Sequence, residues 1–210
     1  MSLPDGVQRR PIDGTERLAT RGEPVYGEPT ADGWRAWDPD RSKLAAMLER
    51  DLDVGLAPDA GVLYLGAAAG TTVSHVADAT GPVYAVEFAA RPGRDLVRVA
   101  QARPNVIPLL QDARQPERYA HVVESGLDVL VQDVATRDQA AVAVANRQFL
   151  ADDGRLALAV KARSEDVAAD PEAVFDRVLD AIKGEYTVVN TASLDPAHED
   201  HFAVIATPDR

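Results

Sequence analysis

Apolar residues in the second part of this chain fall into short runs separated by segments of helical periodicity. Helical segments follow the first, second, fourth and fifth of seven such runs. Alternation of this kind predicts an α/β fold in which a doubly wound, mainly parallel seven-stranded sheet is covered on both faces. The predicted strands are 62–65, 83–87, 106–109, 128–131, 156–160, 186–191 and 202–206.

The connection between the last two predicted strands is too short for a comfortable helical crossover. We therefore expect these two strands to pair antiparallel.

The first 40 residues have a different pattern, rich in Gly, Pro and charge. Segments 16–20 and 25–26 are short stretches that could pair as strands. We therefore predict a small β-rich domain over 1–40 and a main domain over 41–210. Trp34 and Trp37, the only tryptophans, are expected to anchor the small domain to the main one. A turn at 38–40 leads into a predicted helix over 41–48.

The acidic charge of the chain would ordinarily argue against a nucleic-acid partner. The net charge is −12, and only three of the 22 basic residues are lysines, namely Lys43, Lys161 and Lys183. An acidic, arginine-rich composition is typical of proteins adapted to concentrated salt, where screening shortens the Debye length to about 3 Å at 1 M. In that setting a negative charge does not exclude RNA.

The cysteine count and the lengths of the apolar runs exclude several kinds of protein. The absence of cysteine excludes disulfides, thiolate metal ligands and a cysteine nucleophile. No apolar run approaches the roughly 20 residues of a membrane helix, and the N-terminus has no apolar signal segment. A soluble, cytoplasmic protein without a membrane partner is the expectation.

The segment GAAAGTT at 66–72 follows the first strand and predicts a tight turn that opens a helix. Gly66 allows the turn and a close ligand, and Thr71 or Thr72 is the expected N-cap. A P-loop would need lysine where Thr71 stands, and a pyrophosphate-binding G-x-G-x-x-G would need a middle glycine that is missing. Nucleoside triphosphates, NAD and FAD are therefore disfavoured.

Two acidic residues after neighbouring strands narrow the ligand further. Glu87 ends the second strand, where a carboxylate can accept hydrogen bonds from ribose hydroxyls. Asp112 follows the third strand, where it can meet an adenine amino group. The turn, Glu87 and Asp112 together predict a pocket for S-adenosyl-L-methionine.

Polar residues that end the fourth and fifth strands are candidates for chemistry. Asp133 and Lys161 both lie at the predicted ligand edge of the sheet. Lysine in an arginine-rich chain suggests that a compact ammonium is needed there, and the same argument applies to Lys43. His201, which begins the last strand, is the preferred histidine. A metal site at His198 and His201 lacks a third ligand, so no metal is expected.

Six segments of the chain closely resemble the archaeal form of fibrillarin, and they extend from the tryptophan region to the last strand. They are RSKLAA at 41–46, YLGAAAGTTVSHV at 64–76, VEF at 86–88, QDVA at 132–135, VKARS at 160–164 and EDH at 199–201. The resemblance implies a class I, Rossmann-like methyltransferase sheet. It further implies methyl transfer from S-adenosyl-L-methionine to ribose 2′-hydroxyls of rRNA or tRNA within box C/D guide ribonucleoproteins.

The resemblance also assigns roles to residues. Catalytic positions are Lys43, Asp133, Lys161 and His201. Cofactor positions are Gly66, Thr71, Thr72, Glu87, Phe88, Asp112, Ala113, Asp133, Val134, Ala135 and Thr136. The implied mechanism is an in-line displacement in which Lys161 and Asp133 orient the hydroxyl and help remove its proton, while Lys43 and His201 position the nucleotide.

Three positions depart from the family pattern. Ala69 replaces a serine, Gln132 an acidic residue and Thr136 a glutamine. The implied partners are guide RNA with its target RNA, a Nop-domain scaffold protein and a kink-turn-binding protein. Two alternatives remain: a class I methyltransferase with another substrate, and a non-catalytic adenosyl-binding scaffold subunit.

Overall fold

Two β-sheets and six α-helices make up the protein in a computed structural model that describes residues 3–209. The first sheet is four-stranded, with order β1-β2-β4-β3, and all of its pairs are antiparallel. Its strands are β1 (Val7–Ile12), β2 (Thr15–Arg21), β3 (Thr30–Ala31) and β4 (Trp34–Ala36). The helix α1 (Lys43–Glu49) leads from this sheet toward the second one.

The second sheet has seven strands in the order β10-β11-β9-β8-β5-β6-β7. Its strands are β5 (Val62–Leu65), β6 (Val83–Glu87), β7 (Val106–Leu110), β8 (Leu127–Gln132), β9 (Leu150–Lys161), β10 (Tyr186–Ser193) and β11 (His201–Pro208). The remaining helices are α2 (Thr71–Ala79), α3 (Ala90–Ala102), α4 (Gln139–Asn146), α5 (Ala162–Glu165) and α6 (Pro171–Ile182).

The predicted doubly wound sheet is confirmed. Strands β5 to β9 pair parallel, whereas β11 pairs antiparallel with both β9 and β10. The chain runs outward from β5 to β7, then returns to place β8 on the other side of β5. Ligands of open parallel sheets bind outside the carboxyl ends of the strands at such a reversal of order. Here that point lies between β5 and β8.

Two apolar clusters fill the faces of this sheet. Alternate residues of each strand belong to opposite clusters: Val62 and Tyr64 of β5 belong to one, and Leu63 and Leu65 belong to the other. Because both faces are covered at the centre of the sheet, central strands such as β5 and β6 are nearly continuous apolar runs, which is why the sequence pattern located them well. Within residues 3–209, no helix has the length and apolar character needed to span a bilayer.

Residues 25–26 correct one expectation, because they form a bend rather than a strand. Their backbone N–H groups donate to the carboxylate of Glu28, and the strands that pair with β2 are β1 and β4. Glu28 in turn accepts a hydrogen bond of 2.5 Å from Arg35, whose guanidinium is fully buried. The bend is thus organised by a buried ion pair that the sequence pattern does not display.

A buried polar network joins the first sheet to α2. Arg35 of β4 also pairs with Asp78 at 2.7 Å. The ring of His75 stacks on Trp37, with centroids 5.0 Å apart and planes 5° apart. The predicted anchoring role of Trp37 fits this contact, whereas Trp34 packs within the first sheet. The division into domains at residue 40 stays a prediction.

Candidate active site

The turn after β5 is built on two glycines with positive φ. Gly66 has φ +83° and Gly70 has φ +81°, conformations that glycine adopts without a steric penalty. A Cβ on Gly66 would lie 2.3 Å from the backbone oxygen of Asp133, so no side chain fits there. The expected N-cap at Thr71 or Thr72 is wrong: Gly70 is the N-cap of α2, and no side chain caps this helix.

Glu87 closes the turn from β6. Its carboxylate accepts hydrogen bonds of 2.7 Å from the N–H of Ala68 and from the N–H of Ala89. These contacts fix the carboxylate at the carboxyl end of β6, beside Gly66. The remaining lone pairs can accept further hydrogen bonds, because each carboxylate oxygen offers about two acceptor sites.

A cavity of about 400 Å³ opens at this edge of the sheet. Most of the predicted cofactor positions line it, with additional residues that the sequence did not single out. The lining consists of Gly66, Ala68, Val86, Glu87, Phe88, Gln111, Asp112, Ala113, Arg114, Asp133, Val134, Ala135, Thr136, Val142 and Lys161. The size and the mainly apolar lining with a few polar groups are typical of small-molecule sites.

Two predicted cofactor residues lie outside this lining. Thr71 instead lines a separate cavity between the 23–26 bend and α3. The hydroxyl of Thr72 lies 3.0 Å from that of Ser42. The predicted cofactor residues at the strand ends therefore line one cavity, whereas Thr71 and Thr72 face the first sheet and α1.

Phe88 and Asp112 occupy the outer part of the cavity. The ring of Phe88 is 70% exposed, which is unusual for a large apolar side chain. Asp112 is paired with Arg114 at 2.6 Å, and hydrogen bonds from Arg114 lower the pKa of this carboxyl. Arg114 was not predicted from the sequence, and only its position two residues after Asp112 could have indicated it.

Asp133 lies between two lysines at the inner end of the cavity. The Nζ of Lys161 is 2.9 Å from Oδ1 of Asp133, and the Nζ of Lys43 is 3.4 Å from the same atom. Each of the three side chains is only about one-sixth exposed, at 17% for Asp133 and Lys43 and 16% for Lys161. Burial alone would raise the pKa of Asp133, but the two ammonium groups outweigh it, so this pKa is lowered.

The two lysines reach Asp133 from different elements. Lys43 is the first residue of α1, whose N-cap Ser42 accepts a hydrogen bond of 3.2 Å from the N–H of Ala45. Ser42 also accepts one of 3.0 Å from the indole Nε1 of Trp37. Lys161 ends β9, the longest strand. The site is therefore assembled from residues ninety and twenty-eight positions away from Asp133.

His201 begins β11 directly opposite Lys161 in the register of the two strands. Its Nδ1 donates a hydrogen bond of 2.6 Å to the backbone oxygen of Glu199. Burial, together with the charges of Lys43 and Lys161, lowers the pKa of His201 below 6.5 despite this hydrogen bond. The ring is therefore neutral at pH 7, with Nε2 as its acceptor atom.

Comparison with known proteins agrees with this architecture. Fibrillarin-like rRNA/tRNA 2′-O-methyltransferases of Halorubrum lacusprofundi and Halobacterium salinarum are each 65% identical to the chain, over 207 and 209 residues. These alignments cover 99% of this chain and 98% and 100% of the relatives. Both relatives come from halophilic archaea, which agrees with the salt adaptation expected from the composition of this chain.

Solved structures extend the similarity to the whole fold. A crystal structure of a fibrillarin/Nop5p complex superposes with a TM-score of 0.91 at 40% identity, and 100% of each chain is covered. An Aeropyrum pernix fibrillarin crystallised with natively bound S-adenosyl-L-methionine gives 0.84 at 40% identity, over 99% of this chain and 98% of the other. The fibrillarin sequence profile matches residues 10–210, and the chain belongs to the fibrillarin family.

Proposed function

We propose that this chain transfers a methyl group from S-adenosyl-L-methionine to ribose 2′-hydroxyls of rRNA and tRNA selected by box C/D guide RNA. The observation that carries the proposal is the Lys43–Asp133–Lys161 ion-pair cluster, of which Asp133 and Lys161 line a cavity suited to an adenosyl group. The names of the halophile relatives support the same activity.

The donor set of the cavity fits S-adenosyl-L-methionine. Glu87 offers acceptor positions for the two ribose hydroxyls, and Asp112 offers one for the adenine amino group. The exposed ring of Phe88 presents an apolar face against which adenine can stack. The close approach of Gly66 to Asp133 leaves backbone, and no side chain, beside the methionine portion.

The cofactor supplies an electrophilic methyl group on a sulfonium, and the chain supplies alignment of the attacking hydroxyl. The carboxylate of Asp133 holds the Nζ atoms of both lysines at fixed distances. Ammonium donors at these positions can bind the oxygen of the ribose hydroxyl and orient it in line with the methyl group. Positioning of this kind lowers a barrier by several kcal/mol, roughly 7–11 in the best intramolecular systems.

For the hydroxyl proton we propose a destination other than the Lys161 and Asp133 pair expected from the resemblance. Lys161 is held in an ion pair with Asp133, and the carboxylate of Asp133 is a weak base because its pKa is lowered. His201, whose acceptor atom is Nε2, lies opposite Lys161 in the register of β9 and β11. We assign His201 the proton-accepting role and the two lysines the orienting role.

The proposed assembly contains a Nop-domain scaffold protein, as in the homologous fibrillarin/Nop5p complex. Guide RNA and a kink-turn-binding protein complete it. Because partners would hold the RNA, a chain of net charge −12 need not bind RNA strongly by itself.

A reconstituted methylation assay tests the proposal. The chain, its Nop-domain and kink-turn-binding partners and a guide RNA are incubated with labelled S-adenosyl-L-methionine and a target RNA. We expect label in the target only when the guide is present, and none in a target with 2′-deoxyribose at the selected nucleotide.

Other outcomes would favour the alternatives. Transfer to a protein or a small molecule without guide would indicate a methyltransferase with another substrate. Cofactor binding without transfer to any substrate, in a complex that assembles fully, would indicate an adenosyl-binding scaffold subunit.

A further inference from the structure

Gln139 is a fully buried polar residue at the start of α4 that lines no part of the cofactor cavity. Its side chain makes two hydrogen bonds to the backbone of a single residue, Lys161. The N–H of Lys161 donates to Oε1 of Gln139 at 2.9 Å, and Nε2 of Gln139 donates to the carbonyl oxygen of Lys161 at 3.0 Å. This pattern is the one that a neighbouring strand would provide.

The need for such a substitute follows from the sheet topology. Pairing of β8 with β9 ends at Gln132 and Leu158, and the next residue of the chain, Asp133, donates its N–H to β5 instead. The chain then leaves the sheet to form the loop that lines the cavity. Without Gln139, the N–H and C=O groups of Lys161 on the β8 side would lose their protein partner.

The backbone of Gln139 is held as firmly as its side chain. Glu165 of α5 accepts hydrogen bonds from the N–H groups of Asp138, at 2.8 Å, and Gln139, at 2.5 Å. Gln132, also fully buried, donates from Nε2 to the carbonyl oxygen of Gln139 at 2.8 Å. The segments on both sides of the cavity loop are thereby tied to the segment that carries Lys161.

We infer that Gln139 is a positioning residue for methyl transfer, which fixes Lys161 so that its Nζ meets Asp133. This inference rests on the proposed function. Displacing a reacting group by about 1 Å can reduce a rate by about 100-fold. A side chain that fixes both backbone groups of Lys161 therefore controls catalysis without touching cofactor or substrate.

The test replaces the amide with an apolar group of similar length. Gln139→Met keeps the volume but removes both hydrogen bonds. The matched control is Gln148→Met, because Gln148 is exposed and makes one hydrogen bond within its own turn. We expect kcat of the Gln139→Met complex to fall at least tenfold, with Kd for S-adenosyl-L-methionine within twofold of the parent value. The control should keep its kcat.

Two results would overturn the inference. One is a kcat of Gln139→Met within twofold of the parent value. The other is a loss confined to cofactor Kd or KM. An inactive parent complex would instead refute the proposed function, so the two failures are distinguishable.

Hydrogen exchange keeps the inference testable if Gln139→Met does not fold. In the unmodified protein, the amide of Lys161 should exchange as slowly as amides in the middle of β9, although it ends the strand. Exchange at the rate of an exposed strand end would contradict the hydrogen bond to Gln139.

Discussion

His75 should make the stability of this protein strongly dependent on pH. Its ring is fully buried between β2 and Trp37, and both nitrogens have neutral partners. Thr20 donates its hydroxyl to Asp78 and therefore accepts from Nδ1 at 2.7 Å, so Nε2 is left to accept from Tyr26 at 2.9 Å. Burial and the charges of Arg35 and Arg103 lower the pKa of His75 to about 2.

The sign and size of the effect follow from proton linkage. The unfolded chain binds a proton at His75 below about pH 6.5, whereas the native ring binds one only near pH 2. Stability from His75 is therefore complete above pH 6.5 and decreases as the pH falls from there toward 2. The loss at pH 4.5 is about 2.7 kcal/mol for this single group.

Denaturant unfolding of the parent chain and of His75→Gln at pH 8 and pH 4.5, at constant high salt, isolates the contribution. Other groups titrate in both proteins, so the difference between the two pH dependences belongs to His75. The parent should lose about 2–3 kcal/mol more than the variant over this range. His121→Gln, at an exposed position, should match the parent. Equal losses in the parent and in His75→Gln would refute the buried neutral state of His75.

Three substitutions test other contacts. Gly66→Ala should weaken binding of S-adenosyl-L-methionine at least tenfold in calorimetry, because a Cβ at this position collides with the backbone of Asp133. The control is Gly14→Ala, since Gly14 also has a positive φ of +73° but no atom lies within 4 Å of the added Cβ; it should leave binding unchanged. Ser42→Ala should lower both Tm and kcat, because loss of the N-cap of α1 costs about 1 kcal/mol and leaves Lys43 less firmly held. Ser42→Thr, which keeps a capping hydroxyl, should retain most of the activity. An unchanged kcat for Ser42→Ala would contradict the role of the cap. Arg35→Met should reduce the free energy of unfolding by about 3–5 kcal/mol, because it leaves the buried carboxylate of Glu28 without a cation and removes one of the two arginines paired with Asp78. A loss below about 1 kcal/mol would contradict this expectation.

The strands of the large sheet could be predicted because each buried strand is a run of apolar residues that are adjacent in the sequence. Strands β5 and β6 have the predicted bounds, and the other five differ mainly at their ends. A strand covered on both faces must be apolar along its length, so short-range pattern is sufficient. The first sheet was harder: the bend at Val25 and Tyr26 depends on the carboxylate of Glu28, which a period-two pattern does not reveal.

The cluster around Asp133 is a part of the site that the choice of residue type indicated in the sequence. Lysine is rare in this chain, and two of the three lysines meet at one carboxylate. The positions of Asp133 and Lys161 at strand ends are sufficient to predict that both lie at one edge of the sheet. The distance between Asp133 and Lys161 depends on the pairing of β8 with β9, and the position of His201 opposite Lys161 depends on the register of β9 and β11.

The sequence by itself therefore determined the class of fold, the edge of the sheet at which a ligand binds and the residue types available for chemistry. Only the tertiary structure decided that Thr71 and Thr72 lie outside the cavity, that Gly70 is the N-cap of α2 and that Gln139 holds Lys161. The reason is physical: apolar periodicity reports burial between neighbours in sequence, whereas polar partners are chosen by atoms that meet only after the sheet has formed.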